Sequence, residues 1–139
     1  MKIALGADHG GFELKEKIKS HLLEKGYEVL DLGTNSTASV DYPKFGHAVV
    51  NKDADYGIVV CGTGIGISIA ANKVPGVRAA LCTNTTMARL TREHNDANVL
   101  AMGGRIVGDV LALEMVDIFL STKFEGGRHT NRINSIETI

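Results

Sequence analysis

The sequence has little of what marks secreted or membrane-spanning proteins. Only two cysteines occur in 139 residues. That number is too small for a disulfide framework, so we expect free thiols in a reducing compartment. No apolar run approaches the roughly 20 residues that span a bilayer, and the first apolar run is too short for a signal peptide. We therefore expect a soluble, cytoplasmic protein.

An excess of charge of either sign is also absent. Fifteen basic and 16 acidic residues give a formal net charge of −1. Such a chain has no overall field to attract nucleic acid or an anionic membrane, so any anion must be bound by a local cluster. The sequence also lacks repeats and interdomain linkers. It therefore predicts one domain over residues 1–139.

Short apolar runs alternate with segments that have the period of helices. The runs predict strands over residues 1–7, 27–31, 56–61, 77–82 and 99–102. Helices are predicted over residues 12–25, 43–52, 85–94 and 107–120, from the loop at 62–66 to about residue 73, and at the carboxyl end. The inner face of the first helix is predicted to carry Phe12, Leu14, Ile18, Leu22 and Leu23.

Repeated strand–helix units favour an α/β fold. We expect a single Rossmann-like (flavodoxin-like) domain, with a five-stranded parallel sheet and helices on both faces. Five strands suggest the flavodoxin-like order 2-1-3-4-5, although the sequence alone does not fix it. In such sheets ligands bind beyond the carboxyl ends of the strands.

Three polar or glycine-rich clusters follow predicted strands. They occupy residues 8–11 (DHGG), 61–66 (CGTGIG) and 103–105 (GGR). The middle cluster is not a dinucleotide fingerprint, because Ile67 stands where the last glycine is needed, and no Gly-Lys-Ser/Thr follows as in a P-loop. Two interpretations remain open. The loop is either a tight turn that needs small residues, or a row of N–H groups that binds a phosphate or an oxyanion.

The two cysteines differ in position. Cys61 ends a central strand just before a helix, where the helix dipole and backbone donors favour a thiolate. A packing role for Cys61 remains open on position alone. Cys82 follows the next strand without such a loop, and we expect it to be a small core residue.

Polar residues near the carboxyl end suggest an anion site. Arg128 and Arg132 are four apart and share a helix face, with His129 beside them. Two guanidinium groups and a histidine suit a phosphate dianion, although a solvated basic end is the alternative.

The cluster His94-Asn95-Asp96 ends a predicted helix that returns across the sheet. It should lie about 15 Å from the carboxyl ends of the strands, given roughly 3.3 Å per residue. His94 is therefore either structural or part of the site of a second subunit. His21 and His47 are expected to have solvated or packing roles.

The clusters in their order resemble the ribose-5-phosphate isomerase B family, within a wider group that includes galactose-6-phosphate and allose-6-phosphate isomerases. The stretches that carry the resemblance are GADHGGFELK, DYP, CGTGIGISIAANK, TREHNDANVLAMGGRIVG and FEGGRHTNRI, which run nearly from end to end. The resemblance implies aldose–ketose isomerisation of a five-carbon sugar phosphate, without metal, nucleotide or other cofactor. It also implies a homodimer whose sites lie between subunits, with dimer against tetramer left open.

The resemblance further implies a role for each matching residue. Cys61 would move a proton between C1 and C2, with the catalytic Thr63 hydroxyl close to the reacting end. His94 would open the sugar ring, and Asp8 would assist that opening. Contacts to the substrate would come from Asp8, His9, Gly62, Thr63, Gly64, Ile65, Gly66, Asn95, Arg105, Arg128 and Arg132. Some relatives use a glutamate as base, but residues 62–73 contain no acidic side chain and Ser68 stands among them.

Three alternatives compete with this interpretation. The substrate could be a six-carbon sugar phosphate, with the same chemistry in a deeper pocket. The chain could instead be a binding module for a phosphorylated ligand, although pure binding does not need Cys61, Thr63 and His94 together. Nucleotide-dependent redox chemistry is disfavoured by the failed fingerprint.

Overall fold

The computed structural model describes residues 1–49 and 53–139. The described residues form the strands β1 (Lys2–Ala7), β2 (Glu28–Asp31), β3 (Tyr56–Cys61), β4 (Ala79–Leu81) and β5 (Val99–Gly103). They form the helices α1 (Phe12–Glu24), α2 (Pro43–Ala48), α3 (Ile65–Asn72), α4 (Thr85–Asn95), α5 (Asp109–Ser121) and α6 (Arg128–Ile136). The helix predicted over residues 43–52 ends at Ala48, and residues 50–52 lie outside the described part of the chain.

The sheet is parallel and has helices on both faces, as the sequence predicts. Successive strand residues point to opposite faces, because the side-chain period of a strand is two. In β3, Ile58 and Val60 join the core under α1, α4 and α5, whereas Val59 and Cys61 join the core under α2 and α3. None of the described helices combines the length and apolar character that crossing a membrane would need.

The strand order is β2-β1-β3-β5-β4, so the predicted order 2-1-3-4-5 was wrong in the relative positions of β4 and β5. β3 pairs with β5, from Gly57 opposite Val99 to Cys61 opposite Gly103, and β4 lies outside β5 at the edge. Every residue of β5 is buried, whereas the three residues of β4 are only half-buried. A fully buried strand needs a neighbour on each side, and a short strand tolerates an edge.

The first helix departs from prediction at two positions. Leu14, Ile18 and Leu22 are buried as expected, but Leu23 is 53% exposed. Leu23 follows Leu22 by one residue, about 100° around the helix, so it leaves the buried stripe. Lys15 is instead fully buried on that helix.

Lys15 joins α1 to the loop after β2. Its Nζ donates to Asp31 Oδ2 at 2.9 Å and to the Thr34 carbonyl oxygen at 2.8 Å. Burial alone would raise the pKa of Asp31, but Lys15, the Gly33 amide and Lys19 together hold it below its ordinary value of 3.8. The ion pair between Lys15 and Asp31 therefore holds the end of β2 against α1.

Candidate functional site

The three strand-end clusters meet at one edge of the sheet. The Gly104 amide donates to the Cys61 carbonyl oxygen at 2.8 Å, and the Arg105 amide donates to the Gly62 carbonyl oxygen at 3.0 Å. The first cluster joins them through the Asp8 amide, which donates to the Val60 carbonyl oxygen at 3.3 Å. The structure therefore places the three clusters together, where ligands bind in open parallel sheets.

The approach of these segments leaves no room for side chains. A Cβ built on Gly11 would lie 2.2 Å from the Val60 carbonyl oxygen, and one on Gly104 would lie 2.7 Å from the Gly10 carbonyl oxygen. Gly64 also has φ +81°, a left-handed conformation that favours glycine. These glycines allow the three backbone segments to pack in direct contact at this edge.

Cys61 lies under the glycine loop. Its thiol is buried, with the residue 6% exposed, and the Gly64 N–H donates to Sγ at 3.1 Å. The helix α3 begins at Ile65, earlier than predicted, so the last two loop residues form its first turn. A backbone donor and a helix N-terminus are thus both aimed at the place where negative charge on sulfur or a nearby oxygen would be stabilised.

The neighbouring hydroxyl groups of the loop and helix are oriented differently. Thr63 is exposed, and its Oγ1 accepts a hydrogen bond from the Ile65 N–H at 3.2 Å, so the hydroxyl hydrogen can face a ligand. Ser68 Oγ donates to the Ile65 carbonyl oxygen at 2.8 Å. That bond turns Ser68 back into its own helix. Of the two, Thr63 is the hydroxyl placed to meet a substrate.

The cluster after β1 supplies an acid and an imidazole. Asp8 Oδ1 accepts the Gly10 and Gly11 amides at 2.9 and 3.2 Å, and the residue is 7% exposed. His9 Nδ1 accepts the Val40 N–H at 3.1 Å, which leaves Nε2 as the donor of the neutral ring. A cavity of about 230 Å³ opens beside them, lined by His9, Gly10, Glu13, Leu14, Gly104 and Arg105.

The ring of Tyr42 packs against the end of the glycine loop at residues 62–66. A Cβ on Gly66 would lie 2.7 Å from Tyr42 Cε1, so the aromatic ring lies directly on the first turn of α3. The tyrosine is 39% exposed. In the sequence Tyr42 stands beside Pro43 at a predicted helix start, and its contact with Gly66 could not be predicted from that position.

The remaining candidates lie at the opposite edge. Two residues before His94, Arg92 Nη2 donates to the hydroxyl of Tyr56, the first residue of β3. Arg78, just before β4, donates to the Asn95 carbonyl oxygen at 3.1 Å. Tyr56 and Cys61 are five residues apart on one strand, or about 16 Å. One chain therefore does not bring His94 or Asn95 to its own Cys61.

The carboxyl-terminal helix joins this second group. The rings of His94 and His129 stack with centroids 4.6 Å apart and an interplanar angle of 20°. His129 and Ile133 are the buried residues of α6, whereas Arg128 and Arg132 are exposed on it. The two arginines therefore lie with His94 and away from Arg105. Ile136, also on α6, is 55% exposed.

The other histidines and the second cysteine have other surroundings. His21 Nε2 pairs with Asp117 Oδ1 at 2.7 Å, half-buried between α1 and α5, and His47 is exposed. Cys82 is 1% exposed, and burial raises its pKa to about 11. A thiol in that state is a packing residue, as expected for Cys82.

Comparison with known proteins gives a consistent result. The family model described as Ribose/Galactose Isomerase matches residues 3–136. Ribose-5-phosphate isomerase B of Escherichia coli (strain K12) is 51% identical over 142 residues, which cover 99% of this chain and 95% of that protein.

Solved structures agree with the sequence relatives. The chain matches the structure of Clostridium thermocellum ribose-5-phosphate isomerase B with a TM-score of 0.97 and 57% identity, over 99% of this chain and 95% of that one. It matches ribose-5-phosphate isomerase B from Mycoplasma genitalium, which was crystallised with bound ribulose-5-phosphate, with a TM-score of 0.92 and 46% identity. That match covers 98% of this chain and 93% of the other.

Proposed function

The chain belongs to the ribose/galactose isomerase family, and from that membership we propose that it interconverts ribose 5-phosphate and ribulose 5-phosphate. The family membership confirms the resemblance drawn from the motifs. One structural observation carries the proposal. The thiol of Cys61 lies under a row of backbone donors, at the edge where Asp8 and His9 also lie. That combination suits proton transfer next to a carbonyl group.

The reaction needs a base for the carbon-bound proton and hydrogen-bond donors for the oxygen that becomes negative. Cys61, as thiolate, takes the proton from C2 of the open-chain aldose, and the electron pair moves to give an enediolate. The amides of residues 62–66 and the Thr63 hydroxyl stabilise the negative oxygen. The hydroxyl proton of O2 passes to O1, and the Cys61 thiol returns the carbon-bound proton to C1 as the C2 carbonyl forms, which gives the ketose and regenerates the thiolate. Oxidation of C2 balances reduction of C1, so no redox cofactor is consumed.

The sugar must be acyclic before that step. We assign ring opening to His94, which donates a proton to the ring oxygen while the Asp8 carboxylate accepts the proton of the anomeric hydroxyl. Asp8 assists, because its Oδ1 accepts two amides and the described residues donate no hydrogen bond to Oδ2. His9 contacts the sugar through Nε2.

The position of His94 requires a second chain in this mechanism. We propose a homodimer in which His94 and Asn95 of one chain complete the site that contains Cys61 of the other. An exposed apolar strip beside the glycine loop supports this, since α3 presents Ile65 and Ile69 at 52% and 56% exposure. Such side chains on the same face of a helix are suited to burial against a partner.

The phosphate is held by guanidinium groups. Arg128 and Arg132 would reach the shared site together with His94, because all three belong to the second group. Arg105 lies on the side of Cys61, where a Cβ on Gly62 would be 3.2 Å from its Nη1. Bidentate arginine contacts match phosphate oxygens well. The whole chain would then act as one cytoplasmic isomerase domain, with no nucleic-acid or membrane partner.

The test is turnover by purified protein in the presence of a chelator. We expect interconversion of the two pentose phosphates, and Cys61→Ala should lower kcat by at least about 10²-fold, the usual contribution of a positioned base. Cys82→Ala, which removes the other buried thiol, is the matched control and should keep most activity.

Three results would change this conclusion. Faster turnover of allose 6-phosphate than of ribose 5-phosphate would assign a six-carbon substrate. Ligand-dependent melting without product at any pH would indicate a binding module. Near-full turnover by Cys61→Ala would exclude the assigned base.

A further inference from the structure

A second chemical possibility arises where α4 meets α6. His94 in the last turn of α4, Glu125 before α6 and His129 in the first turn of α6 each offer one ligand atom. These three atoms lie within 4.8 Å of one another. Glu125 and His129 are four residues apart, across Gly126 and Gly127, and the Glu125 amide donates to the Glu93 carbonyl oxygen at 3.1 Å, which fixes this segment beside His94.

His129 is an unusual member of the group. The residue is 6% exposed, and within the described part of the chain its Nε2 makes no hydrogen bond. The nearest carboxylate oxygen, Glu125 Oε2, is 3.4 Å away. A buried polar nitrogen without a hydrogen bond is destabilising, so such an atom normally has a partner. The groups beside this nitrogen, the imidazole of His94 and the carboxylate of Glu125, are both of a kind that can bind a metal ion.

We propose that His94, Glu125 and His129 bind a borderline divalent cation, with Zn²⁺ as the best match. Two imidazoles and one carboxylate form a ligand set that Zn²⁺ uses with water in the fourth position. Bonds of about 2.0–2.1 Å in a tetrahedron put ligand atoms about 3.3 Å apart. The group must therefore contract, and the two rings must tilt out of their stack.

Side-chain freedom allows that contraction. Glu125 is exposed and His94 is only half-buried, so both can rotate toward the buried His129. The positive charges of Arg128 and Arg132 are close in sequence and weaken the affinity for a cation. We therefore expect reversible occupancy that depends on the concentration of the metal.

Occupancy would inhibit the enzyme. This consequence, unlike the site itself, rests on the proposed ring-opening role of His94. A nitrogen that coordinates Zn²⁺ cannot exchange a proton with the sugar, so the metal blocks ring opening. An acyclic substrate would escape the block. Erythrose 4-phosphate is an acyclic analogue that tests this, because its phosphorylated C4 oxygen cannot close a furanose ring.

The experiment measures Zn²⁺ binding to the full chain by calorimetry, and Co²⁺ binding by its visible spectrum. We expect one ion per chain. Glu125→Gln and His129→Gln should each weaken binding by more than about tenfold. Glu125 is exposed, so its variant keeps the test valid if His129→Gln folds poorly.

Two controls identify the ligands. His47→Gln removes an exposed histidine, and Cys61→Ala removes the thiol that a partner would bring near His94. Both should bind Zn²⁺ as the wild type does, and Co²⁺ should give no thiolate charge-transfer band. Binding that survives Glu125→Gln but is lost in Cys61→Ala would assign the ion to sulfur and overturn the proposal, as would no binding at all.

Activity provides the second readout. Zn²⁺ should inhibit turnover of ribose 5-phosphate by the wild type, and Glu125→Gln should keep its basal activity while losing at least tenfold in sensitivity. Turnover of erythrose 4-phosphate should be insensitive to the ion. Zn²⁺ binding without any isomerase activity would leave the site standing and refute the proposed function instead. Equal inhibition of Glu125→Gln and wild type would refute the metal-dependent block.

Discussion

The imidazole ring of His94 stacks on that of His129, with 4.6 Å between the ring centroids. This contact attaches the start of α6 to the end of α4, at the amino edge of the sheet. It therefore places the arginines of α6 with His94, about one strand length from Cys61. In the proposed mechanism, Cys61 and His94 therefore belong to one site only when two chains combine.

The first prediction concerns sharing of the site between chains. Cys61→Ala and His94→Asn should each be nearly inactive alone. After subunit exchange, equal amounts should recover about a quarter of wild-type activity, since half of the dimers are hybrids with one intact site of two. Turnover of the mixture, with mass spectrometry to confirm exchange, is the measurement. No recovery after confirmed exchange would show that each chain is self-sufficient or that the dimer differs.

The second prediction separates ring opening from proton transfer. His94→Asn should lower kcat for ribose 5-phosphate by about 10²-fold or more, the scale of general acid–base catalysis. The same variant should lose much less activity toward erythrose 4-phosphate, which has no ring to open. Steady-state kinetics with both substrates measure the difference. Equal losses with both would indicate that His94 acts in the isomerisation step or in folding.

The third prediction concerns the phosphate. Arg128→Ala and Arg132→Ala should each raise KM roughly 10- to 100-fold, because a hydrogen bond to a charged group contributes about 1.5–3 kcal/mol. The effect on kcat should be smaller, since the phosphate is held similarly before and during reaction. Arg89→Ala is the control, because Arg89 pairs with Glu93 on the surface of α4. Equal KM values in all three variants would place the phosphate elsewhere.

The fourth prediction concerns stability at high pH. Burial raises the pKa of Cys82 from 9.0 to about 11. The unfolded thiol therefore ionises first, so stability is unaffected below pH 9.0 and decreases as the pH rises toward 11. The loss should be on the order of 1 kcal/mol, after allowance for screening by solvent. Denaturant unfolding at pH 8.5 and 10.5 should show a smaller decrease for Cys82→Ala. Equal decreases in both proteins would contradict this origin.

Much of the fold could be predicted because it is encoded locally. The strand Tyr56–Cys61 has the predicted bounds, since a run of buried apolar residues between turn signals marks a central strand. The position of β4 beside β5 could not be found in this way. Apolar runs show that strands exist, whereas their order depends on contacts between residues far apart in sequence.

The same division applies to the site. The strand-end rule led to the edge where Asp8, Cys61 and Arg105 lie, because that rule needs only the elements and their direction. The direction of the helix that ends near His94 likewise placed this residue at the other edge. Glu125 was missed, since its relation to His94 depends on how α6 packs. The burial of Lys15 was missed as well. A lysine is almost never fully buried unless it is paired, so its residue type argued against a buried position.

The order of the strands has a further consequence during synthesis. As the chain leaves the ribosome, residues of β1, β2 and β3 are complete long before Val99–Gly103 has been made. The nascent chain can then form a three-stranded sheet whose β3 edge is open, while Ala79–Leu81 has no strand to join. An open edge can pair with other chains. Only translation of β5 both covers that edge and gives β4 its place.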